Sequence, residues 1–472
     1  MNASGTKRRF SLAAVLAATT VLMLALAVGA GPSGASALGN PGGTACSAAI
    51  NGCGATFQTN AEIAFGIGFN NDVCSGTAVL DVDSTHNNFY NYPASTGFTG
   101  SGNGQKAASC RTDAFAGTDI PYNLATLAQL NGAPGSTGGC NISFTPPNSP
   151  NVPPFPDASD TQAQIMTFPV AAGAVGVGYD LSKRICGGTN PGTIKLTGKM
   201  VSLLAGGDIG NWNDPRLRQG GLNPHLASCD RGVTRVVRLD KSGTTQIYKN
   251  YLQNVDPNRS GAVCAAGNGW TFYAQDANNQ TWPEGSGCSD LTRPATSGNA
   301  AVVGLCKTTA GAVCYGDIAD FALQNLKSVK VRSATAGYVP PLVNNPNTGQ
   351  KTQSNCSTAD ASLPGTTASD AVGLNATDTW ATDNPSGNHG DFTDTGPKYP
   401  ICGITFALVY TGLSSSPPNA ISRLSLDQRQ TLYDFFSYVL SSTGQAHLGE
   451  NYYAPIASAW QTKLLAGFQA NF

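Results

Sequence analysis

The sequence predicts an α/β fold, and three stretches carry that reading. Residues 195–214 (KLTGKMVSLLAGGDIGNWND) and 234–252 (TRVVRLDKSGTTQIYKNYL) each alternate between strand-like and helix-like runs, the pattern of strands interleaved with helices. The chain then closes with a strand-like ITFALVYTG at 404–412 and a helix-like SLDQRQTLYDFFSYVLSS at 425–442. In that last helix Leu432, Phe435, Phe436, Val439 and Leu440 fall near one face, so that face is expected to be buried.

Taken in order, the chain opens with what reads as a signal peptide over residues 1–37. Lys7, Arg8 and Arg9 form a positive region, SLAAVLAATTVLMLALAVGA supplies the apolar one, and Ala35-Ser36-Ala37 is an A-x-A cleavage site. A retained membrane anchor is the alternative, because the apolar run approaches the length of a span. The first cysteine is Cys46, too far from the apolar run to carry a lipid anchor.

Cleavage would remove three cations and no anions, so the 27 basic and 28 acidic residues of the whole chain become 24 and 28. Such a mildly acidic body is not expected to bind nucleic acid, and an anion would have to be held by local donors. All 13 cysteines lie beyond the leader, and export would favour disulfides. The odd count leaves at least one thiol free or paired between chains. There is no C-x-x-C, and His86, His225, His389 and His447 lie far apart in sequence. No redox motif, metal site or cofactor is therefore expected.

Residues 131–160, rich in Pro, Gly and Ser, read as a long surface loop pinned by Cys140. IMTFPVAAGAVGVGY at 165–179 is continuously apolar. It is either a buried strand pair or one strand crossing between lobes. The polar stretch 334–395 reads as a large loop or insertion.

Four turns rich in glycine and hydroxyl groups are the candidate functional segments. In VVRLDKSGTT (236–245) a short strand enters a turn and a helix start. The first N–H groups of a helix lack partners and favour an anion. Ser242 and Thr244 add hydroxyls, Arg238 can reach the same anion with a two-pronged contact, and Asp240 can hold Arg238. The same residues also fit ordinary capping, with Ser242 as N-cap and Arg238 as a surface charge. TGSGNGQK (99–106) offers Ser101 on a backbone that can approach a ligand, or is a plain turn. DAFAGTDIP (113–121) places Asp119 before Ile120-Pro121, where the chain is extended. That aspartate is a ligand or a cap. GCGATF (52–57) presents Thr56, with Phe57 as a lid or as a core residue. The chain has no Walker A sequence, no H-E-x-x-H, no clear G-x-S-x-G and, past the leader, no G-x-G-x-x-G, so no catalytic residue is assigned.

These stretches, in this order, resemble the phosphate-binding subunit of the bacterial high-affinity phosphate ABC importer. GCGATF, TGSGNGQ, FAGTDIPY (115–122), FPVAAGAVGVGYDL (168–181), LTGKMVSLLAGGDIGNWNDP (196–215) and VVRLDKSGTTQIYKNYL (236–252) carry the likeness. TWPEG (281–285), GAVCYGDIADFA (311–322), YPICGITFAL (399–408) and YYAPI (452–456) complete it. The resemblance implies a two-lobed periplasmic-binding-protein fold of type II, with a ligand cleft between α/β lobes and crossover strands as hinge. Its first lobe would comprise 38–168 and 396–472, its second 169–330, with 331–395 as a polar insertion. It further implies a phosphate ligand held by Thr56, Phe57, Ser101, Asp119, Arg238, Ser242, Gly243 and Thr244, with Asp240 behind Arg238. Asp119 would accept the proton of bound phosphate and so reject sulfate. The protein would be an extracytoplasmic monomer and not an enzyme, with a membrane permease as partner. The chain departs from the family pattern at Cys53, at Gly102-Asn103, in its abundant cysteine and in its two long polar stretches. Those departures keep open a freely secreted phosphate scavenger. A phosphatase-like hydrolase and a module for another oxyanion are the competing readings.

Overall fold

The computed structural model describes residues 40–50, 52–77, 79–80, 100–110, 113–122, 165–257, 280–282, 291–346, 348–356, 391–393, 396–411 and 424–472. The leader, the 131–160 stretch with Cys140, and residues 357–390 of the polar insertion lie outside these.

The organising element is a single strand, Ile165–Tyr179, whose fifteen residues are all buried. Of the two sequence readings, one continuous crossing strand is what forms. Its first part, Ile165–Ala174, pairs antiparallel with Ile401–Tyr410. Its second part, Val175–Tyr179, pairs antiparallel with Ala312–Asp317. A strand covered on both faces needs no polar alternation, which explains its unbroken run of small and apolar residues. Pro169 has no N–H to give the ladder, and there the register slips: Thr405 faces Ala171 while Phe406 faces Pro169. Val170 is the extra residue of this bulge. Its carbonyl accepts from Gln445 Nε2 at 2.8 Å. The same buried amide donates to Val439 O and accepts from Ile456 N, so the cost of the interrupted ladder is offset locally.

The main sheet runs in the order Gly52–Gly54, Phe115–Thr118, Ile401–Tyr410, Ile165–Tyr179, Ala312–Asp317, Thr234–Val236, Leu291–Thr292. Its outer pairs are parallel, Gly52–Gly54 with Phe115–Thr118 at one end and Thr234–Val236 with its two neighbours at the other. The antiparallel crossing strands lie between them. Two apolar cores flank the crossing. One gathers Phe65, Phe69, Phe115, Phe168, Phe435, Phe436 and Phe468. The helix Leu426–Val439 buries its Leu432, Phe435, Phe436 and Val439 there, and Ser425 with Gln428 closes a capping box at its start. The other core holds Trp212, Tyr248, Trp282 and Tyr315. Tyr248 and Tyr315 stack at 4.7 Å between ring centroids, worth about 0.5–1.5 kcal/mol beyond burial.

Within the polar stretch, Tyr338–Val339 extends a small sheet with Lys330–Arg332, and Leu342–Val343 pairs with Gln353–Ser354. Ser354 Oγ donates to Tyr452 O and accepts from Ala174 N, which seats this segment on the crossing strand. Disulfides join Cys46–Cys74, Cys186–Cys229, Cys306–Cys314 and Cys356–Cys402, each contributing about 2–4 kcal/mol. Among the described residues Cys53 is a buried free thiol, and it donates to Asp113 Oδ2.

Candidate anion-binding site

The site forms where the two flanks of the crossing strand meet. On one side the helix Gly243–Val255 starts behind Ser242, whose hydroxyl accepts from Thr245 N at 3.3 Å as an ordinary N-cap. The Gly243 N–H is therefore left to point outward. It donates to Ser101 Oγ, 142 residues earlier, at 3.2 Å. A Cβ on residue 243 would lie 2.4 Å from Asp119 Cβ and 2.5 Å from Ser101 Oγ, so only glycine lets the two sides approach.

On the other side Ser101 opens the helix Ser101–Cys110 directly after Gly100, whose φ of +112° suits glycine. Ser101 Oγ donates to Asp119 Oδ2 at 2.8 Å and accepts from Asp119 N at 3.0 Å. Asp119 sits in a turn shaped by Thr118, whose hydroxyl bonds the backbone of Ile120 in both directions. Asp119 Oδ1 is buried with no hydrogen-bond partner among the described residues. Burial pushes this carboxyl up to about 7, against the opposing effects of the Ser101 hydroxyl, the nearby Thr405 hydroxyl and the Arg238 charge.

Arg238 is 1% exposed. Asp240 grips it with both oxygens, Nε to Oδ1 at 2.7 Å and a second arm to Oδ2. Its Nη1 donates to Asn299 Oδ1 at 2.8 Å. Asn299 Nδ2 in turn donates to Thr56 Oγ1 and Thr244 Oγ1, both at 3.2 Å. Asn299 thus ties Thr56 on one side to Arg238 and Thr244 on the other. The sequence reading missed it. The available signal was Gly298-Asn299 opening the helix Asn299–Thr308, a further glycine-led helix start. Tyr315 backs the cluster, its hydroxyl 2.7 Å from Thr245 Oγ1 and 3.4 Å from Arg238 N. Burial pushes that phenol up to about 12.

Thr56, Ser101, Asp119, Arg238, Ser242, Gly243 and Thr244 are brought together. Phe57 is divided. Its ring is fully buried, packed against Gly173 and edge-on to Tyr453. It is a core residue and not a lid, because the small residue at 173 opens the one space it fits. Its carbonyl accepts from Tyr453 at 2.7 Å. Behind the site, Thr405 donates to Gln58 Oε1, and Gln58 Nε2 donates to Glu62 Oε1. Glu62 is pushed up to about 8 by burial, which the Gln58 bond only partly offsets.

Chemically the cluster offers backbone N–H groups, hydroxyls and the Arg238 guanidinium, with two carboxyls: Asp240, taken up by Arg238, and Asp119, with one oxygen unpartnered among the described residues. Donors converging at a helix start suit a tetrahedral oxyanion. The unpartnered Asp119 oxygen suits an oxyanion that carries a proton.

Comparison with known proteins fits this architecture. A family profile described as PBP superfamily domain matches residues 77–358. The "Phosphate-binding protein PstS" of Xylella fastidiosa strain 9a5c is 30% identical over 229 residues, 47% of this chain and 54% of that protein. The PstS of Methanocaldococcus jannaschii is 25% identical over 297 residues, 62% of this chain and 64% of that protein. The chain thus spans about half the length of the Xylella relative. A solved phosphate-binding protein from Stenotrophomonas maltophilia superposes with a TM-score of 0.54 at 17% identity, over 89% of this chain and 93% of that one. That likeness shows a shared two-lobed fold. With the profile spanning more than half of its length, the chain belongs to the PBP superfamily.

Proposed function

We propose that this protein is an extracytoplasmic solute-binding protein that holds inorganic phosphate in the cleft between its lobes and passes it to the membrane permease of an ABC importer. The observation that carries the reading is Asp119: a buried carboxyl with one oxygen unpartnered among the described residues, set among Gly243, Ser101 and Arg238. Monohydrogen and dihydrogen phosphate bring a proton that this carboxyl can accept. Sulfate at neutral pH brings none. It would face Asp119 with two acceptors opposed, at roughly 1–3 kcal/mol for the unmade bond and more for the charge. The names of the PstS relatives support the same ligand.

Binding without chemistry fits the hydroxyls. Ser101 Oγ accepts two N–H bonds, which engages the lone pairs that a nucleophile would need. Ser242 is occupied as a cap. Export is supported by the leader sequence and by four disulfides among the described residues. No helix among the described residues is long and apolar enough to cross a membrane. Calorimetric titration of ligand-stripped protein lacking residues 1–37 tests the proposal. Tight one-to-one binding of phosphate with little response to sulfate is expected; a folded sample that binds neither would refute it.

A further inference from the structure

Tyr453 stands at the crossing of the lobes. It pairs with Gly173 of the long strand, and Asp317 pairs with Val175 two residues on. The Tyr453 hydroxyl oxygen is 2.7 Å from the Phe57 carbonyl oxygen and 2.6 Å from Asp317 Oδ2. Both are hydrogen-bond lengths. A tyrosine brings one proton and a carbonyl none, so two full bonds need a second proton, and the remaining group able to carry it is Asp317.

We propose that Asp317 is kept as a neutral acid that donates to Tyr453, so that Tyr453 donates to the Phe57 carbonyl and fixes the Thr56–Phe57 turn at the hinge. The inference rests on the phosphate reading, since that turn is one wall of the proposed site. Asp317 and Tyr453 are positioning residues, acting through the backbone of Phe57.

The surroundings agree. Asp317 and Tyr453 are both fully buried. Asp317 Oδ1 caps the helix Ile318–Gln324 by accepting from Ala319 N at 3.1 Å, which leaves Oδ2 to carry the proton. Burial is the largest influence raising this carboxyl, followed by Asp320 on its own helix. Asp119, from the turn across the hinge, raises it as well. The Tyr453 bond and the Ala319 N–H oppose them. Burial raises Asp320 as well, to about 7, with the Arg238 charge opposing it. When pH rises through the raised value, Asp317 becomes an acceptor only. The Tyr453 proton then turns to Asp317, and the Phe57 carbonyl loses its anchor.

The test combines phosphate titration with infrared spectroscopy on three variants, Tyr453→Phe, Asp317→Ala and Asp317→Asn. Asparagine keeps both the cap and a donor toward Tyr453. Expected at neutral pH is about a tenfold loss of phosphate affinity in Tyr453→Phe and Asp317→Ala, with affinity rescued in Asp317→Asn. The rescued variant should also lose the part of the fall in affinity with rising pH that comes from ionisation of Asp317. The wild-type spectrum should carry a protonated-carboxyl band that disappears in Asp317→Asn. No rescue by asparagine, or no such band in the difference spectrum, overturns the proposal. Were the wild-type protein to bind no phosphate, the proposed function would fall, while the infrared band would still decide the state of Asp317.

Discussion

Gly243 and Ser101 meet across the cleft through one hydrogen bond, from the first free N–H of a helix in one lobe to a helix-opening hydroxyl in the other. The same hydroxyl holds Asp119. A helix start, a hydroxyl and a buried acid are thereby joined into one unit, and its parts respond differently to substitution.

Replacing Gly243 with alanine puts a methyl where Asp119 and Ser101 already stand. Alanine favours the helix itself, so the second lobe should keep its fold. Closure should suffer instead, by about 1–3 kcal/mol, a roughly five- to 150-fold loss of phosphate affinity. Calorimetry beside a thermal melt separates the two effects. Wild-type affinity in Gly243→Ala would show that the lobes need not approach this closely.

Asn299 reaches both lobes, accepting from Arg238 and donating to Thr56 and Thr244. Asn299→Ala should weaken phosphate binding by removing those ties. Asn299→Asp should weaken it further, because it keeps the bond to Arg238, loses the donors and adds a negative charge beside an anion site. Titrations of both variants give the ranking. An aspartate variant that binds as well as wild type would remove Asn299 from the site.

Glu62 carries a pH signature in stability. Its carboxyl is raised from an ordinary value to about 8, so between those values the folded protein binds the proton more tightly than the unfolded chain. The stability from this group is therefore full below the ordinary value of 4.5 and falls as pH rises from there toward 8, with a slope of at most about 1.4 kcal/mol per unit. Glu62→Gln can still accept from Gln58 and cannot ionise. Denaturant melts across that range should show a flatter profile for the variant, and parallel profiles would count against a buried, protonated Glu62.

Much of this was legible in the sequence because it is local. The crossing strand is an uninterrupted apolar run, and the helix Leu426–Val439 shows its buried face by spacing alone. The hydroxyl- and glycine-rich turns mark themselves by composition. What escaped depends on distant partners. Asn299 looks like any polar residue at a helix start until Arg238, 61 residues away, is placed against it. Phe57 reads equally as lid or core until Gly173 opens the space for its ring. The proton shared by Asp317 and Tyr453 exists only because two strands flank the same crossing. Disulfide partners such as Cys356 and Cys402 likewise follow from topology.

The measurement that bears most directly on the account is the ratio of phosphate to sulfate affinity as a function of pH, in the wild type and in Asp119→Asn. Asp119 is raised to about 7. Above that value it is an acceptor and should exclude sulfate. As pH falls through it, the acid gains a proton to donate, and sulfate should be increasingly admitted. The account predicts a ratio that is large in mild alkali and shrinks in acid for the wild type, and a small, pH-independent ratio for Asp119→Asn. A variant that still prefers phosphate as strongly as the wild type would contradict the role of Asp119, and with it the basis for reading this cleft as a phosphate site.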